Sequence, residues 1–368
     1  MFWGRAMLTF TGRARHYIDE TLAAIRADLI IYTTALAYLV VGATYVVVEN
    51  RSLFAQYDVY SLGCIILCCV ALPYAGLLFG AVRIALFNKG RSRLAWRALV
   101  APRRVGRFAA GTLLMLVLLL FVEAMYISVK TTFSASGFPY DKLVADIDKA
   151  LHFGHAPSYW LSVLRAGWLL RIVETNYDAV WFVAWIGLLY WFATSPRAEA
   201  LRVRFVLTFM LAWVLIGNLV ASLCLTAGPA LYGVATGDGH RFAKLATFLT
   251  ATPNATSATQ QYLWALHQSG AGGLGSGISA FPSMHVAITT VCALFLAEID
   301  KRLGIAAWVY VAIIVMSSIY LGWHYAVDGY AAILLTTGIY WAIRGAPLLG
   351  RLRRPAPAEL PGSALAAP

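Results

Sequence analysis

The stretch HVAITTVCALFLAEIDKRLGIAAWVYVAIIVMSSIYLGWH, residues 285–324, contains two apolar runs joined by the polar link EIDKRLG, residues 298–304. Each run is long enough to cross the hydrocarbon core of a bilayer as a helix. Because the link is so short, we predict that the two helices are antiparallel neighbours. The start of the first helix, with His285, and the end of the second, with His324 and Asp328, then lie at the same face of the membrane.

The composition of the whole chain predicts a polytopic membrane protein of the all-α class. Of its 368 residues, 60% are hydrophobic and 12% are charged, and the mean hydropathy is +0.71. A soluble domain carries about 25% charged residues. We expect about eight transmembrane helices. The predicted spans are residues 29–48, 59–82, 108–128, 179–195, 205–227, 281–297, 305–326 and 329–343.

The basic residues are distributed unevenly between the two sides of the membrane. Counted over alternate connections, 21 of the 29 Lys and Arg residues fall on the side of the termini and 8 on the other side. Both termini are therefore predicted to be cytoplasmic and the histidines to lie at the outer face. We favour a bacterial inner membrane with a periplasmic site over the lumen of a eukaryotic compartment. Short connections account for the net charge of +12, so we expect no nucleic-acid partner.

The chain divides into a membrane part and several flanking segments. In the outer segment, YDKLVADIDKALHFG (140–154) places Leu143, Val144, Ile147 and Leu151 at helical spacing. This pattern favours a helix lying on the membrane interface, with a loop helix facing water as the alternative. The predicted parts are a cytoplasmic N-terminal segment (1–28), N-terminal transmembrane helices (29–128), the outer amphipathic segment (129–178), a catalytic transmembrane bundle (179–343) and a disordered cytoplasmic tail (344–368).

The two histidines and the aspartate form a group suited to phosphoryl transfer. His324 and Asp328 are four residues apart, hence on one side if the helix continues that far. A carboxylate bonded to one imidazole nitrogen fixes the tautomer and leaves the other nitrogen free to attack phosphorus. His285 is placed to protonate a leaving alkoxide. Pro282 and Ser283 suit a helix start, which is a seat for phosphate. For either histidine alone, an interfacial residue with a satisfied hydrogen bond is the alternative.

Two segments carry a resemblance to a known family. FPSMH (281–285) and SSIYLGWHYAVD (317–328) resemble the second and third signature motifs of the type 2 phosphatidic acid phosphatase superfamily. The resemblance implies a six-helix phosphatase-like catalytic bundle. It also implies that His324 is the nucleophile, that Asp328 orients it, and that His285 is the general acid.

The chain departs from the usual motifs of that family in three places. Ser318 stands where the third motif has arginine, and Met284 where the second has glycine. The first motif, K-x6-R-P, is absent, and LTAGPALYG (225–233) occupies its place. In these departures the chain resembles the branch that contains fungal inositol phosphorylceramide synthases, which move a phosphorylated head group from a phospholipid to a lipid alcohol. Fewer cations would suit a phosphodiester, because it carries less negative charge than a monoester.

Further residues are predicted to contact the phosphate or the substrate. Arg241 and Lys244 lie outside the membrane, where solvated loop charges are the alternative, and Asp178 has helix capping as its alternative. The full set of candidates is Ser283, Ser318, Tyr320, Arg241, Lys244, Tyr177 and Asp178.

Two further polar features, the glycine-rich segment 272–277 and Glu123, each have two interpretations. The backbone of 272–277 is either an anion nest or a flexible linker. Glu123 either faces the site or reaches the interface, and His152 and His155 are expected to be surface residues. No metal-ligand spacing occurs in the sequence, so we expect neither a metal nor a cofactor.

The favoured function is a membrane phosphotransferase with a phospholipid donor and a lipid alcohol acceptor, working through a phosphohistidine. One alternative is a lipid phosphate phosphatase that uses water as the acceptor. Another, from a different class, is a transporter or lipid-binding protein without catalysis.

Overall fold

All regular structure in the described part of the chain is helical. The computed structural model describes residues 2–53, 55–87, 92–251 and 253–346. The tail predicted to be disordered, 344–368, falls almost wholly outside these residues. In chain order the helices are α1 (Phe2–Ala27), α2 (Leu29–Val48), α3 (Gln56–Leu86), α4 (Ser92–Leu99), α5 (Pro102–Ser134), α6 (Asp141–Leu151), α7 (Gly167–Thr194), α8 (Pro196–Leu223), α9 (Ala243–Thr250), α10 (Ala255–Ser269), α11 (Met284–Ile299), α12 (Lys301–Tyr320) and α13 (Ala326–Gly345). Two single-turn helices, Pro157–Trp160 and Tyr232–Thr236, lie in the connecting segments.

The predicted all-α polytopic class is confirmed. Within the described ranges, seven helices are long and apolar enough to cross a membrane: α2, α3, α5, α7, α8, α12 and α13. Helix α11 is equally apolar but has 16 residues, so it is a short eighth element. Each of these helices overlaps one of the eight predicted spans.

The ends of several helices differ from the predicted bounds. Helix α7 begins at Gly167 and not near 179, because the carboxylate of Glu174 is satisfied by the backbone N–H of Thr256 at 2.8 Å. Helix α12 ends at Tyr320, six residues before the predicted end. Gly322, with φ of +73°, follows in the left-handed conformation that terminates helices.

Helices α11 and α12 form the predicted antiparallel pair. A single residue, Asp300, separates them, and its side chain accepts hydrogen bonds from Arg302 N at 2.7 Å and Leu303 N at 3.2 Å. A Cβ on Gly304 would lie 2.6 Å from the Cβ of Ala297, so only glycine allows the two helices to approach this closely. Both helices pack against α13 at the centre of the bundle.

Polar groups link the bundle at the end opposite the two histidines. Arg204 of α8 donates to both carboxylate oxygens of Glu298 in α11, at 3.0 and 2.7 Å. Asp28, fully buried before α2, forms ion pairs with Arg107 of α5 at 2.5 Å and Arg202 of α8 at 3.6 Å. These pairs join the N-terminal helices to α8, and α8 to α11, which carries His285.

Helix α6 lies in the outer segment with one face against the bundle. Its buried positions are Asp141, Val144, Ala145 and Asp148, which recur at the spacing of one helix face. Of the four apolar positions identified in the sequence of this helix, three are exposed, and Val144 faces the bundle. The exposed three are Leu143, Ile147 and Leu151. An inward acidic face and an outward apolar face fit a helix at a membrane interface.

Candidate active site

Two loops bring the histidines together at one end of the bundle. His285 is the second residue of α11, and His324 lies in the five-residue connection between α12 and α13. The ring centroids are 6.5 Å apart, with an angle of 58° between the ring planes. The gap between the rings is therefore about the size of one phosphate group.

The hydrogen bonds of His324 define its tautomer. Its Nδ1 lies 2.7 Å from the carbonyl oxygen of Ala280 and 3.3 Å from Oδ2 of Asp328. A carbonyl oxygen can only accept, so Nδ1 carries the hydrogen, and the neutral ring has its lone pair on Nε2. The side chain is 7% exposed. The ring is thus held by one nitrogen with the other available for attack.

Asp328 connects the two histidine segments. Its Oδ2 accepts from Tyr325 N at 2.9 Å in a capping arrangement at the start of α13, and its carbonyl oxygen accepts from Ser283 N at 3.1 Å. The helix that leads to His324 does not continue to Asp328, so the condition for placing both residues on one helix face is not met. The pair meets because the chain turns at Gly322 and α13 begins immediately afterwards.

Two aromatic rings from α7 enclose His285. Tyr177 stacks on the imidazole at a centroid distance of 4.0 Å and 14°, and Trp181 lies at 4.0 Å and 33°. The indole N–H donates to His285 O at 3.2 Å and to Thr289 Oγ1 at 3.0 Å. Tyr177 was a sequence candidate, whereas Trp181 was not. Its spacing of four residues from Tyr177 is the signal in the sequence, since the two rings then share a helix face.

The segment that replaces the family's first motif supports both loops with its backbone. Thr226 accepts Ala280 N at its carbonyl oxygen (2.8 Å) and Phe281 N at its hydroxyl (3.0 Å). Gly228, with φ of +90°, lies so close to the loop that a Cβ would be 2.5 Å from the carbonyl oxygen of Trp323. Segment 225–233 carries no cationic side chain.

Two aspartates of α6, which sequence reasoning did not find, hold segment 225–233 and the chain that follows His324. Asp141 accepts from Ala227 N at 2.7 Å, Gly228 N at 3.1 Å and the Tyr325 hydroxyl at 2.7 Å. Asp148 accepts from Val327 N at 3.1 Å. Burial raises the pKa of Asp141, and these hydrogen bonds offset part of the rise. The feature of the sequence that could have indicated them is the seven-residue spacing of Asp141 and Asp148, which places both on one face of α6.

The other sequence candidates are distributed around the outer end of the bundle. Ser283 caps α11, accepting Val286 N at 3.5 Å. Ser318 donates to Val315 O of its own helix at 2.7 Å, and Tyr320 donates to Leu164 O at 3.1 Å. These two hydroxyls are therefore engaged away from the gap between the rings.

The charged candidates also make contacts elsewhere. Arg241 pairs with Asp146 of α6 at 2.7 Å, and Lys244 and Asp178 are exposed. His155 is exposed as expected, whereas the ring of His152 is half-buried and its Nε2 lies 3.0 Å from the hydroxyl of Tyr330.

Segment 272–277 is attached to the N-terminal helices. Gly275 N donates to the hydroxyl of Tyr60 at 2.6 Å. The hydroxyl of Ser276 lies 3.0 Å from Nε2 of Gln56 and 3.1 Å from the hydroxyl of Thr131. The glycine-rich segment therefore packs against α3 and α5, in contrast to the flexible-linker alternative.

Comparison with family models decides the family. Residues 142–342, more than half of the chain, match the PAP2 superfamily. The chain belongs to the PAP2 superfamily. The match begins in α6 and ends in α13, so it contains both histidines and Asp148 of α6, whereas Asp141 and helices α1 to α5 lie outside it. Comparison with curated proteins and with solved structures found no match.

Membership of the PAP2 superfamily supports lipid phosphate chemistry of the phosphatase or phosphotransferase type at a membrane-embedded site. An apolar groove of about 430 Å³ lies beside Trp181, whose ring contacts His285. Helices α7, α11 and α12 form it, and Trp181 and Thr289 close it at the histidine end. The groove extends to Leu303, near the turn between α11 and α12. The remaining lining is apolar or small, as in Ala307 and Cys292.

Proposed function

We propose that this PAP2 superfamily protein transfers a phosphoryl or phospho-head group, such as phosphoinositol, from a phospholipid to a lipid alcohol through a phosphohistidine. The observation that carries the proposal is the pair of imidazoles 6.5 Å apart, one of them fixed with its Nε2 unprotonated. A nucleophile and a general acid on opposite sides of one phosphate are what this chemistry requires.

In the first step, Nε2 of His324 attacks phosphorus and the P–O bond to the diacylglycerol breaks. The departing oxygen takes a proton from His285. Asp328, fully buried, stabilises the positive charge that develops on the His324 ring through its contact with Nδ1. The N-terminus of α11, with its unpaired N–H groups, faces the same region and favours the negative charge of the phosphate.

In the second step, the acceptor hydroxyl attacks phosphorus and the P–N bond breaks. His285, now neutral, takes the proton of the hydroxyl, which restores both rings. Enclosure of His285 by Tyr177 and Trp181 limits access of water to the acid–base ring. A protected general base favours a lipid alcohol over water as the acceptor. If water does enter, the same steps make the protein a phosphatase.

The membrane orientation is part of the proposal. The charge distribution favours cytoplasmic termini and a periplasmic site in a bacterial inner membrane. The groove between α7, α11 and α12 ends at Trp181, which contacts His285, so a lipid chain lying in it would place its phosphate near the histidines.

Trapping of the intermediate tests the mechanism. Purified protein is mixed with a donor phospholipid labelled with ³²P and quenched in base, which preserves phosphohistidine. We expect label on the unaltered protein and on His155→Ala, whose ring is exposed, and none on His324→Ala. Label on His324→Ala would refute the assignment of the nucleophile.

Product analysis separates the two acceptors. With a lipid alcohol present, a labelled phospholipid product supports transfer. Free phosphate or free head-group phosphate as the sole labelled product, whether or not the alcohol is added, would instead establish the phosphatase.

A further inference from the structure

Two charged side chains of α5 face an internal gap in the protein. Between them, Ala124–Val129 are all buried, yet Glu123 and Lys130 each keep part of their surface exposed. Seven residues make about two helical turns, so both project from the same face. Because the helix between them is buried on every side, the partial exposure of Glu123 and Lys130 points to a crevice within the bundle. We name it the Glu123–Lys130 crevice.

Neither charge is neutralised by a close partner. Among the described residues, the structure gives the Lys130 ammonium and the Glu123 carboxylate no hydrogen bond and no ion pair; the ammonium lies 5.9 Å from the centre of the Tyr126 ring. Glu123 is eleven residues before the outer end of α5, about 16 Å along the helix. Charged side chains at such depth are costly and usually have a function.

The crevice is next to the start of α11. Lys130 is within electrostatic range of both Glu123 and His285. At Gly217 of α8, a Cβ would lie 2.7 Å from the Tyr126 ring and 2.9 Å from the sulfur of Met284, the residue before His285.

The segment that leads to His285 lies over the same part of α5. A Cβ on Gly277 would lie 3.0 Å from the carbonyl carbon of Lys130. Lys130 therefore lies where α5, α8 and the start of α11 meet.

Neutral polar groups complete the lining. The hydroxyl of Tyr38 accepts Asn218 Nδ2 at 2.6 Å, and the hydroxyl of Tyr60 accepts Gly275 N at 2.6 Å. Both phenols are within electrostatic range of Glu123. Each phenol, having accepted one hydrogen bond, still has its own hydrogen to donate. A carboxylate with two phenols and an amide is a set of groups that binds hydroxyls.

We propose that the Glu123–Lys130 crevice binds the polar head of the lipid substrate, with Lys130 neutralising the phosphate and Glu123 accepting a hydrogen bond from a head-group hydroxyl. This inference rests on the proposed function. The catalytic motifs lack cations, since Ser318 replaces an arginine and 225–233 has none. One lysine supplied by α5 matches the single negative charge of a phosphodiester. The N-terminal helices would then contribute to the site although they lie outside the family match.

Equilibrium binding tests the crevice independently of turnover. His324→Ala protein in detergent is titrated with short-chain fluorescent phosphatidylinositol and, in parallel, phosphatidic acid, whose head has no hydroxyl-bearing group beyond the phosphate. A hydrogen bond to a charged group contributes about 1.5–3 kcal/mol, so we expect Lys130→Ala to weaken both probes about 10- to 100-fold. Lys130→Arg should retain most of the affinity.

The second variant separates head-group binding from a general loss of structure. Glu123→Gln should weaken phosphatidylinositol about tenfold and leave phosphatidic acid unchanged. The matched control is Lys142→Ala, an exposed lysine at the start of α6, for which both affinities should be unchanged.

Several results would overturn the inference: unchanged affinities in Lys130→Ala, equal weakening of both probes in Glu123→Gln, or no binding of either probe by the starting protein. The phosphohistidine assay on His324 reports the proposed function separately. Labelled His324 with unchanged binding in the crevice variants would reject the crevice and retain the mechanism. Selective binding of the lipid probes with no label on His324 would reject the mechanism and retain the crevice.

Discussion

Replacement of Asp141, which lies outside the predicted spans, by asparagine should lower both stability and catalytic activity. Asp141 is fully buried, and its two oxygens accept three hydrogen bonds that join α6 to segment 225–233 and to Tyr325, the residue after His324. An asparagine has one acceptor oxygen. If that oxygen keeps the bonds from Gly228 and Tyr325, the amide nitrogen must face the N–H of Ala227, and two donors then oppose each other.

The magnitude follows from these contacts. One hydrogen bond to a charged acceptor is lost, worth about 1.5–3 kcal/mol, and the remaining two become neutral bonds worth about 0.5–1.5 kcal/mol each. Relief of the buried charge offsets part of this loss, as the raised pKa of Asp141 indicates. We expect the free energy of unfolding to fall by about 3 kcal/mol. Because Tyr325 adjoins His324, kcat should fall by at least about tenfold, equivalent to 1.4 kcal/mol in the barrier.

The assay combines unfolding in mixed micelles, followed by ellipticity, with phosphohistidine formation at saturating donor lipid. Asp146→Asn is the matched control, because Asp146 lies on the same helix, is 68% exposed and pairs with Arg241; such a pair contributes under about 1 kcal/mol. A double-mutant cycle with Tyr325→Phe should show non-additive losses. Equal stability and kcat in Asp141→Asn and Asp146→Asn would refute the role assigned to α6.

Three more predictions follow from the site. Trp181→Phe keeps the ring against His285 but loses one N–H donor, so kcat should fall about 3- to 10-fold with KM unchanged; a change in KM alone would contradict this. Ala307→Trp should fill the groove and slow long-chain but not short-chain lipids, whereas Ala312→Trp, exposed on the same helix outside the groove, should slow neither. Burial raises the pKa of Asp148, so its contribution to stability is present below the pKa of an unfolded aspartate and is lost as pH rises through the folded value. Asp148→Asn should flatten that slope in pH-dependent unfolding.

Hydropathy was sufficient to predict the spans, because an apolar run of membrane length has few other structures available. The antiparallel pairing of α11 and α12 followed from the short link alone. Helix ends were less predictable. The end of α12 depends on Gly322 in a left-handed conformation, and a lone glycine near an apolar run does not by itself predict that conformation. The start of α7 depends on Glu174 being satisfied by Thr256, a contact between residues 82 positions apart.

The site residues that belong to sequence motifs could be predicted. Those whose hydrogen-bond partners are distant in the sequence could not. His285 and His324 could be placed at one level from topology. Asp141 could not be connected to Tyr325, 184 positions away, because an aspartate on an amphipathic helix is usually solvated. Conversely, Tyr320 was a plausible substrate contact until Leu164 was found to accept its hydroxyl hydrogen.

The contacts of α6 explain why a catalytic site between membrane-spanning helices needs polar contacts outside those helices. Lipid tails are as apolar as leucine, so the hydrophobic effect does little to fix one spanning helix against another. Close packing at glycines and hydrogen bonds must supply the positional precision instead. Here the backbone of Ala280 fixes the His324 ring, and the chain around it is held by Asp141 and Asp148 of α6, a helix outside the predicted spans. The antiparallel pairing of α11 and α12 brings the two imidazoles to one end of the bundle, and α6 holds the chain beside His324.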